Sequence, residues 1–99
     1  MNRIEKISRR ERDDGYYRIV ALLNPGWRVV ECRNGIQWIL QRLGSPKRSR
    51  RGDWRGLSYC RTREALIRSA RQHFSDIDPA AGAILAALPE WIGQVKALR

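Results

Sequence analysis

The chain has 99 residues, of which 20 are Lys or Arg and 10 are Asp or Glu, so its net charge is +10 and its isoelectric point is about 11.0. This length fits one domain, and a 42% share of apolar residues can build a core, which excludes wholesale disorder. No apolar run approaches the roughly 20 residues that cross a bilayer, and the charged N-terminus has no apolar segment typical of a secretory signal. We therefore expect a cytoplasmic protein that does not enter a membrane.

The pattern of charge and hydropathy divides the chain into a charged lead-in over residues 1–15, a single domain over residues 16–92 and a tail over residues 93–99. The domain opens with residues 17–23, which are rich in β-branched and aromatic side chains and are followed closely by Pro25. This stretch fits a strand, which we expect, or a short helix that ends at the proline.

The clearest local signal is a β-hairpin around Asn34-Gly35. Because an Asn-Gly pair accepts positive φ at both positions, it predicts a type I′ turn. That turn places Glu31 opposite Trp38 and Val30 opposite Ile39. In this register one face carries Val29, Glu31, Trp38 and Leu40, with Trp27 and Arg42 at its end, and the other carries Arg28, Val30, Cys32, Gln37, Ile39 and Gln41. Neither face is purely apolar, so we expect both to be partly covered.

A further strand and a helix are predicted after a polar loop. Residues 54–60 have the composition of a strand, in which Gly56 marks a bulge or a close approach of two segments. Thr62 is a suitable N-cap for a helix over residues 63–73, with apolar side chains repeating every fourth position along it.

A second helix is predicted over residues 80–88, because Asp78 is a good N-cap and Pro79 fits the first helical position. The predicted order is therefore three or four strands followed by two helices. This order is typical of an α+β domain in which a three- or four-stranded antiparallel sheet carries two helices on one face.

The sequence gives little support for catalysis, and we expect neither an enzyme nor a bound cofactor or metal. His73 is the sole histidine, and Cys32 and Cys60 have no metal-ligand spacing, so two buried thiols are expected. Glu31 and Asp53 are the carboxylates of the sheet region, and nothing in the sequence brings them together. The lead-in alternates acidic and basic residues, a pattern typical of a solvated surface rather than of an acid–base pair.

Binding of a polyanion is better supported, because 17 of the 20 basic residues are arginines, which can form paired hydrogen bonds with phosphate. The loop over residues 44–53 is strongly basic, and Trp54 beside it is the best candidate for an exposed ring that stacks on bases, with Tyr59 as the other candidate. Two alternatives stay open: a GC-rich genome would also produce this arginine excess, and the charge of a solvated loop can be incidental. The predicted partner-binding residues are Lys47, Arg48, Arg50, Arg51, Arg55, Arg28, Arg42 and Trp54.

Residues 27–70 resemble the three-strands-then-helix plan of integrase arm-type and plant AP2 DNA-binding domains. The resemblance is carried by Trp54, Gly56 and Tyr59 in a strand, followed by Thr62, Glu64 and Ala65 at the start of a helix. In those families the sheet enters the major groove of DNA. The resemblance therefore implies a base-reading face that holds Arg28, Gln37, Gln41 and Arg55, although Val30, Cys32 and Ile39 share that side.

The chain also resembles small uncharacterised proteins encoded by bacterial phages, prophages and genomic islands, on the basis of residues 27–40 and 60–66. Such genes often encode DNA-binding accessory proteins or inhibitors of host defence, including anti-CRISPR proteins. Two hypotheses follow. The first is a non-enzymatic nucleic-acid-binding protein, with DNA favoured over RNA. The alternative is an inhibitor that binds an acidic protein or a nucleoprotein complex. The sequence neither requires nor excludes an oligomer.

Overall fold

A computed structural model of the chain describes residues 8–44, 53–73 and 75–93. The predicted α+β class is confirmed, with four strands and two helices. In chain order the elements are β1 (Ile19–Asn24), β2 (Trp27–Glu31), β3 (Trp38–Leu43), β4 (Trp54–Cys60), α1 (Arg63–His73) and α2 (Pro79–Ala86). The strands form one antiparallel sheet in the order β1-β2-β3-β4, so β1 and β4 are its edges.

The central hairpin has the predicted register. Glu31 lies opposite Trp38 and Val30 lies opposite Ile39. Because side chains alternate between the two faces of a strand, this register fixes which residues face the helices and which face the opposite side.

The turn of this hairpin differs from the prediction. Gly35 has a φ of 68°, but Asn34 does not have a positive φ, so the turn is not type I′, which requires positive φ at both positions. The Gly35 N–H donates to the Cys32 carbonyl at 2.9 Å, and the Cys32 N–H donates to the Gln37 carbonyl at 2.9 Å. The ladder therefore ends at the pair of Cys32 and Gln37, and a four-residue loop closes it without changing the register.

The outer strands confirm two further predictions. β1 is a strand rather than a short helix, and it pairs with β2 with two irregularities in register. In β4, Ser58 lies opposite Leu40 while Gly56 lies opposite Gln41, so residue 57 is the extra residue of a bulge. The bulge expected at Gly56 is therefore present.

Both helices begin at the predicted caps. The Thr62 hydroxyl accepts a hydrogen bond from the Ala65 N–H at 3.1 Å, and the Asp78 carboxylate accepts one from the Ala81 N–H at 3.1 Å. α1 has the predicted bounds, whereas α2 ends two residues earlier than predicted. Neither helix of the described chain is long and apolar enough to cross a membrane.

The main core lies between one face of the sheet and the two helices. Strand residues and helix residues contribute to the same buried cluster, which confirms that both helices pack on one face. Trp38, in the middle of β3, is 2% exposed. The cluster includes Ala21, Leu23, Val29, Trp38, Leu40, Cys60, Leu66, Ala70, Ala81 and Leu85.

The opposite face of the sheet holds a second, smaller core of Tyr16, Val30, Cys32 and Ile39. Residues 8–16, which we call the N-terminal cover, lie over this core and contribute Tyr16 to it. The boundary predicted at residue 15 falls inside this segment, so part of the expected lead-in packs against the sheet. Cys32 belongs to this cluster and Cys60 to the helix-side core, and both are free and buried, as expected of two structural thiols.

Candidate functional site

The face opposite the helices is organised by Arg28 on β2, which is 2% exposed. Its Nε donates to Gln41 Oε1 on β3 at 2.7 Å. Its terminal nitrogens donate to three backbone carbonyls of the N-terminal cover, those of Asp13 at 2.9 Å, Glu11 at 3.0 Å and Asp14 at 3.3 Å. Its guanidinium carbon lies 4.2 Å from the centroid of the Trp54 ring, which is a cation–π contact.

The charge on Arg28 holds the cover in place. Burial lowers the pKa of Arg28 to about 10, and the neighbouring carboxylates of Asp14 and Asp13 oppose that shift. The group is therefore protonated at neutral pH. Gln41 adds a second connection, because its Nε2 donates to the Glu11 carbonyl at 2.8 Å. The cover is thus attached to the sheet mainly by side chains that bond its backbone.

This arrangement corrects two predictions. Arg28 and Gln41, expected on a base-reading face, are each 2% exposed because the cover lies over them. Trp54, expected to be an exposed ring, is 6% exposed, and its Nε1 donates to Asp14 Oδ1 at 2.7 Å. Both expectations were wrong for the same reason. The cover buries these side chains and satisfies their polar atoms, so none of the three is an exposed base-reading or base-stacking group.

The carboxylates on this side are occupied by hydrogen bonds within the protein. Asp13 accepts from the Ser8 hydroxyl at 2.8 Å, Asp14 accepts from Trp54, and Glu11 accepts from the Arg33 backbone N–H at 3.0 Å. Asp53, at the start of β4, accepts from Arg55 at 3.0 Å and from Arg12 at 3.3 Å. The hydrogen bond from Arg55 holds the pKa of Asp53 below its usual value, so this carboxylate is ionised at neutral pH.

Four arginines on this side are exposed, and together we call them the arginine surface: Arg9, Arg10, Arg12 and Arg33. They line two neighbouring depressions. One, of about 360 Å³, lies between the cover and the β2–β3 turn and includes Arg9, Arg10 and Arg33. The other, of about 240 Å³, lies between the cover and β4 and includes Arg10 and Arg12. Although Arg12 bonds Asp53, its side chain is 65% exposed.

Tyr59 on β4 lines the second depression and is 57% exposed. The phenol end of its ring lies over Gly56. A Cβ atom on that glycine would stand 2.8 Å from Tyr59 Cζ and 3.0 Å from Ile39 Cγ2. The missing side chain at Gly56 therefore allows the ring to lie along the strand, as when an aromatic residue covers a glycine on a sheet edge.

Two more of the predicted residues lie where the sheet meets the basic loop. Arg42 and Arg55 are opposite each other on β3 and β4, and both are exposed. The Arg42 guanidinium lies 5.9 Å from the Trp27 ring centroid. The Gly44 N–H donates to the Asp53 carbonyl at 2.8 Å, so the chain leaves the sheet and returns to it at one point. The other predicted residues, Lys47, Arg48, Arg50 and Arg51, lie outside the described residues.

His73 is exposed at the end of α1, where its ring centroid lies 4.9 Å from that of Trp27. In the described ranges, no three His, Cys, Asp or Glu side chains come together in a way that could hold a metal ion.

The sequence interpretation did not identify the exposed positions of Arg9, Arg10 and Arg12 beside these depressions, because it treated the lead-in as a solvated charge mixture. No residue pattern shows that Glu11 and Asp14 accept hydrogen bonds within the protein, because their donors, on Arg33 and Trp54, are distant in sequence. A weak signal was available in Arg28, since an arginine in the middle of an apolar strand requires acceptors from elsewhere in the chain.

Comparisons with known proteins gave no relative: no protein-family model matches the chain, and no match was found among the curated proteins or the solved structures searched.

Proposed function

We propose that this protein binds nucleic acid, without catalysing a reaction, through the arginine surface on the sheet face opposite the helices. The observation that carries the proposal is which charged groups on this side face the solvent and which are held by partners within the protein. The carboxylates of the N-terminal cover and of Asp53 accept hydrogen bonds from within the protein, whereas the guanidinium groups of the arginine surface are exposed to solvent. This side therefore exposes four guanidinium groups, while its carboxylates keep their negative charge but are held by donors within the protein.

Arginine is suited to this role because its planar guanidinium donates paired hydrogen bonds to a phosphate. Within the described part of the chain, the side chains of Arg10 and Arg33 form no ion pair. They can thus contact a phosphate without first breaking an internal bond. The net charge of +10 adds long-range attraction to any polyanion. Arg42 and Arg55 are also exposed at the end of the sheet next to the basic loop, but in the sheet register they lie on the other face from Gln41 and Trp54, so they are not part of the arginine surface.

A pair of double variants tests the proposal. Arg10→Gln with Arg33→Gln removes two charges from the arginine surface. Arg68→Gln with Arg71→Gln removes two exposed charges from α1, on the other side of the sheet. We expect the first pair to make the dependence of log affinity on log salt less steep by about 1.5, which corresponds to two lost phosphate contacts, and the second pair to leave it nearly unchanged.

Fluorescence anisotropy with labelled single-stranded and duplex oligonucleotides over a series of salt concentrations measures this slope. Equal effects of the two pairs would show that binding does not use the arginine surface. Absence of binding by the unaltered protein at low salt would contradict the proposed function itself.

One observation favours an acidic protein or nucleoprotein as the alternative partner. A depression of about 330 Å³ beside the β2–β3 turn is lined by Ile36 and Trp91, which are 48% and 47% exposed, together with Arg61. Trp and Arg are the residue types that dominate protein interfaces. This alternative predicts that Trp91→Ala or Arg61→Gln abolishes partner binding and that naked nucleic acid is not bound. The first proposal predicts that both variants bind nucleic acid as the parent does.

A further inference from the structure

We infer that the depression beside Tyr59 binds an unpaired base, so that the nucleic acid bound by this protein is single-stranded. This inference rests on the proposed function and adds the class of nucleic acid and the residue that selects it. It combines one exposed ring, two exposed arginines and a shallow cavity. The ring and the arginines are far apart in the sequence, and the fold brings them together at the cavity.

The first component is the ring. Tyr59 is 57% exposed although it is aromatic and lies on a strand whose neighbours supply a core. One part of the ring is supported from below by Gly56, where a side chain would collide with it. A ring held along a strand, with its outer side in solvent, is a surface on which a base can stack. Such stacking does not depend on which base is present, because every base has a π-face.

The second component is the charge beside the ring. Arg10 and Arg12 line the same depression as Tyr59, and both are exposed. Glu11, between them, also lines it, but its carboxylate accepts a hydrogen bond from the Arg33 N–H at 3.0 Å. A nucleotide stacked on Tyr59 would have its phosphates next to the guanidinium of Arg10, which forms no ion pair in the described residues, and that of Arg12, which is paired with Asp53. Aromatic rings alternating with basic side chains are the arrangement that single-strand binders use.

The third component is the size of the cavity. Its volume is about 240 Å³, below the roughly 300–1,000 Å³ of pockets that enclose a whole small molecule. Ile39, Trp54 and Gly56 contribute apolar surface to it, and the polar side chains that also line it are Arg10, Glu11, Arg12 and Gln41. A shallow site of this kind fits one base placed against the ring. It does not fit a duplex, in which the bases are already stacked on each other and paired.

The test compares Tyr59→Ala, Tyr59→Phe and the neighbouring Leu57→Ala as the matched control. Leu57 is 47% exposed on the same strand and has no ring, so it controls for loss of exposed apolar area. The probes are labelled oligothymidylate, oligouridylate and a DNA duplex of the same length. We expect Tyr59→Ala to weaken binding of the single strands by about 5- to 150-fold, the range measured for one base on one aromatic ring. We expect Tyr59→Phe and Leu57→Ala to bind them as the parent does. The two single strands distinguish DNA from RNA as the source of the unpaired base.

A second variant, Gly56→Ala, moves the ring without removing it. The added Cβ displaces the phenol end of Tyr59, while alanine is at least as well suited to a strand as glycine. We expect weaker single-strand binding by a variant that still unfolds in one cooperative transition, because the added Cβ moves the ring and presses only lightly on Ile39. The inference is overturned if the parent binds duplex as tightly as single strands, or if Tyr59→Ala binds single strands as the parent does. If either of these results came with salt-dependent binding, the proposed function would still hold and only the inference would fail. If the parent did not bind any of the probes at low salt, both the inference and the proposed function would be contradicted.

Discussion

Replacement of Arg28 by alanine should detach the N-terminal cover and cost much more stability than any exposed arginine. The side chain donates four hydrogen bonds, one to Gln41 and three to carbonyls of the cover, and it contacts the Trp54 ring. Loss of one partner of a buried charged network typically costs about 3–5 kcal/mol. Because the three carbonyls are only partly buried, water can replace some of these bonds, and we expect about 3 kcal/mol.

Urea unfolding followed by tryptophan fluorescence measures this loss. With a slope of about 1–2 kcal/mol per molar urea, a loss of about 3 kcal/mol lowers the midpoint by roughly 2 M. Amide hydrogen exchange provides a local measurement. The amide hydrogens of Ser8 and Tyr16 donate to the carbonyls of Gly15 and Asp13. They should exchange faster in the variant than in the parent, and faster than the amide hydrogens of the sheet.

Two further variants sharpen the interpretation of Arg28. Arg28→Lys keeps the charge but cannot place four donors in a fixed plane, so we expect it to recover only part of the stability. Arg68→Ala, on the exposed side of α1, is the matched control and should change stability by less than about 0.5 kcal/mol. If Arg28→Ala cost less than about 1 kcal/mol and left exchange in the cover unchanged, the cover would not be held by this side chain.

The remaining predictions concern Asp53, the β2–β3 turn and the basic loop. The hydrogen bonds from Arg55 and Arg12 hold the pKa of Asp53 below its unfolded value, so the unfolded state takes up the proton first as pH falls and the fold loses stability in acid. In Asp53→Asn the urea midpoint should therefore change less between about pH 6 and about pH 3 than in the parent, and an equal change in both would contradict the assigned pairing. Gly35→Ala should cost about 1–2 kcal/mol in thermal or urea unfolding because φ is 68° there, whereas Asn34→Ala should be tolerated; a similar cost at both positions would instead indicate a type I′ turn. Alanine at all four basic loop positions should make the salt dependence of DNA binding less steep by up to about 3, and an unchanged slope would exclude phosphate contacts from Lys47, Arg48, Arg50 and Arg51.

The fold could be predicted largely from local patterns. The position of the Asn34-Gly35 turn predicted the register of Glu31 against Trp38, and the caps Thr62 and Asp78 marked where both helices begin. These features depend on residues close together in sequence. The turn conformation was harder, because Asn34-Gly35 is compatible with both a two-residue and a four-residue loop in one register.

The site was less predictable, because it depends on contacts between distant parts of the chain. Three of the four acceptors of Arg28 are backbone carbonyls 14 to 17 residues away, and carbonyls leave no signature in the sequence. Trp54 was expected to be exposed because it follows a basic loop, but a partner 40 residues away, Asp14, satisfies its indole N–H. Tyr59 was identified as the other candidate ring, and its position over Gly56 follows from the bulge in β4.

The measurement that tests the central claim most directly is the affinity of the full chain for single-stranded and duplex oligonucleotides over a series of salt concentrations. The account predicts that log affinity falls linearly with log salt, with a slope that reports several phosphate contacts, and that single strands are bound more tightly than duplex at each salt concentration. Absence of binding at the lowest salt would contradict a nucleic-acid partner and direct attention to an acidic protein at the depression beside Trp91.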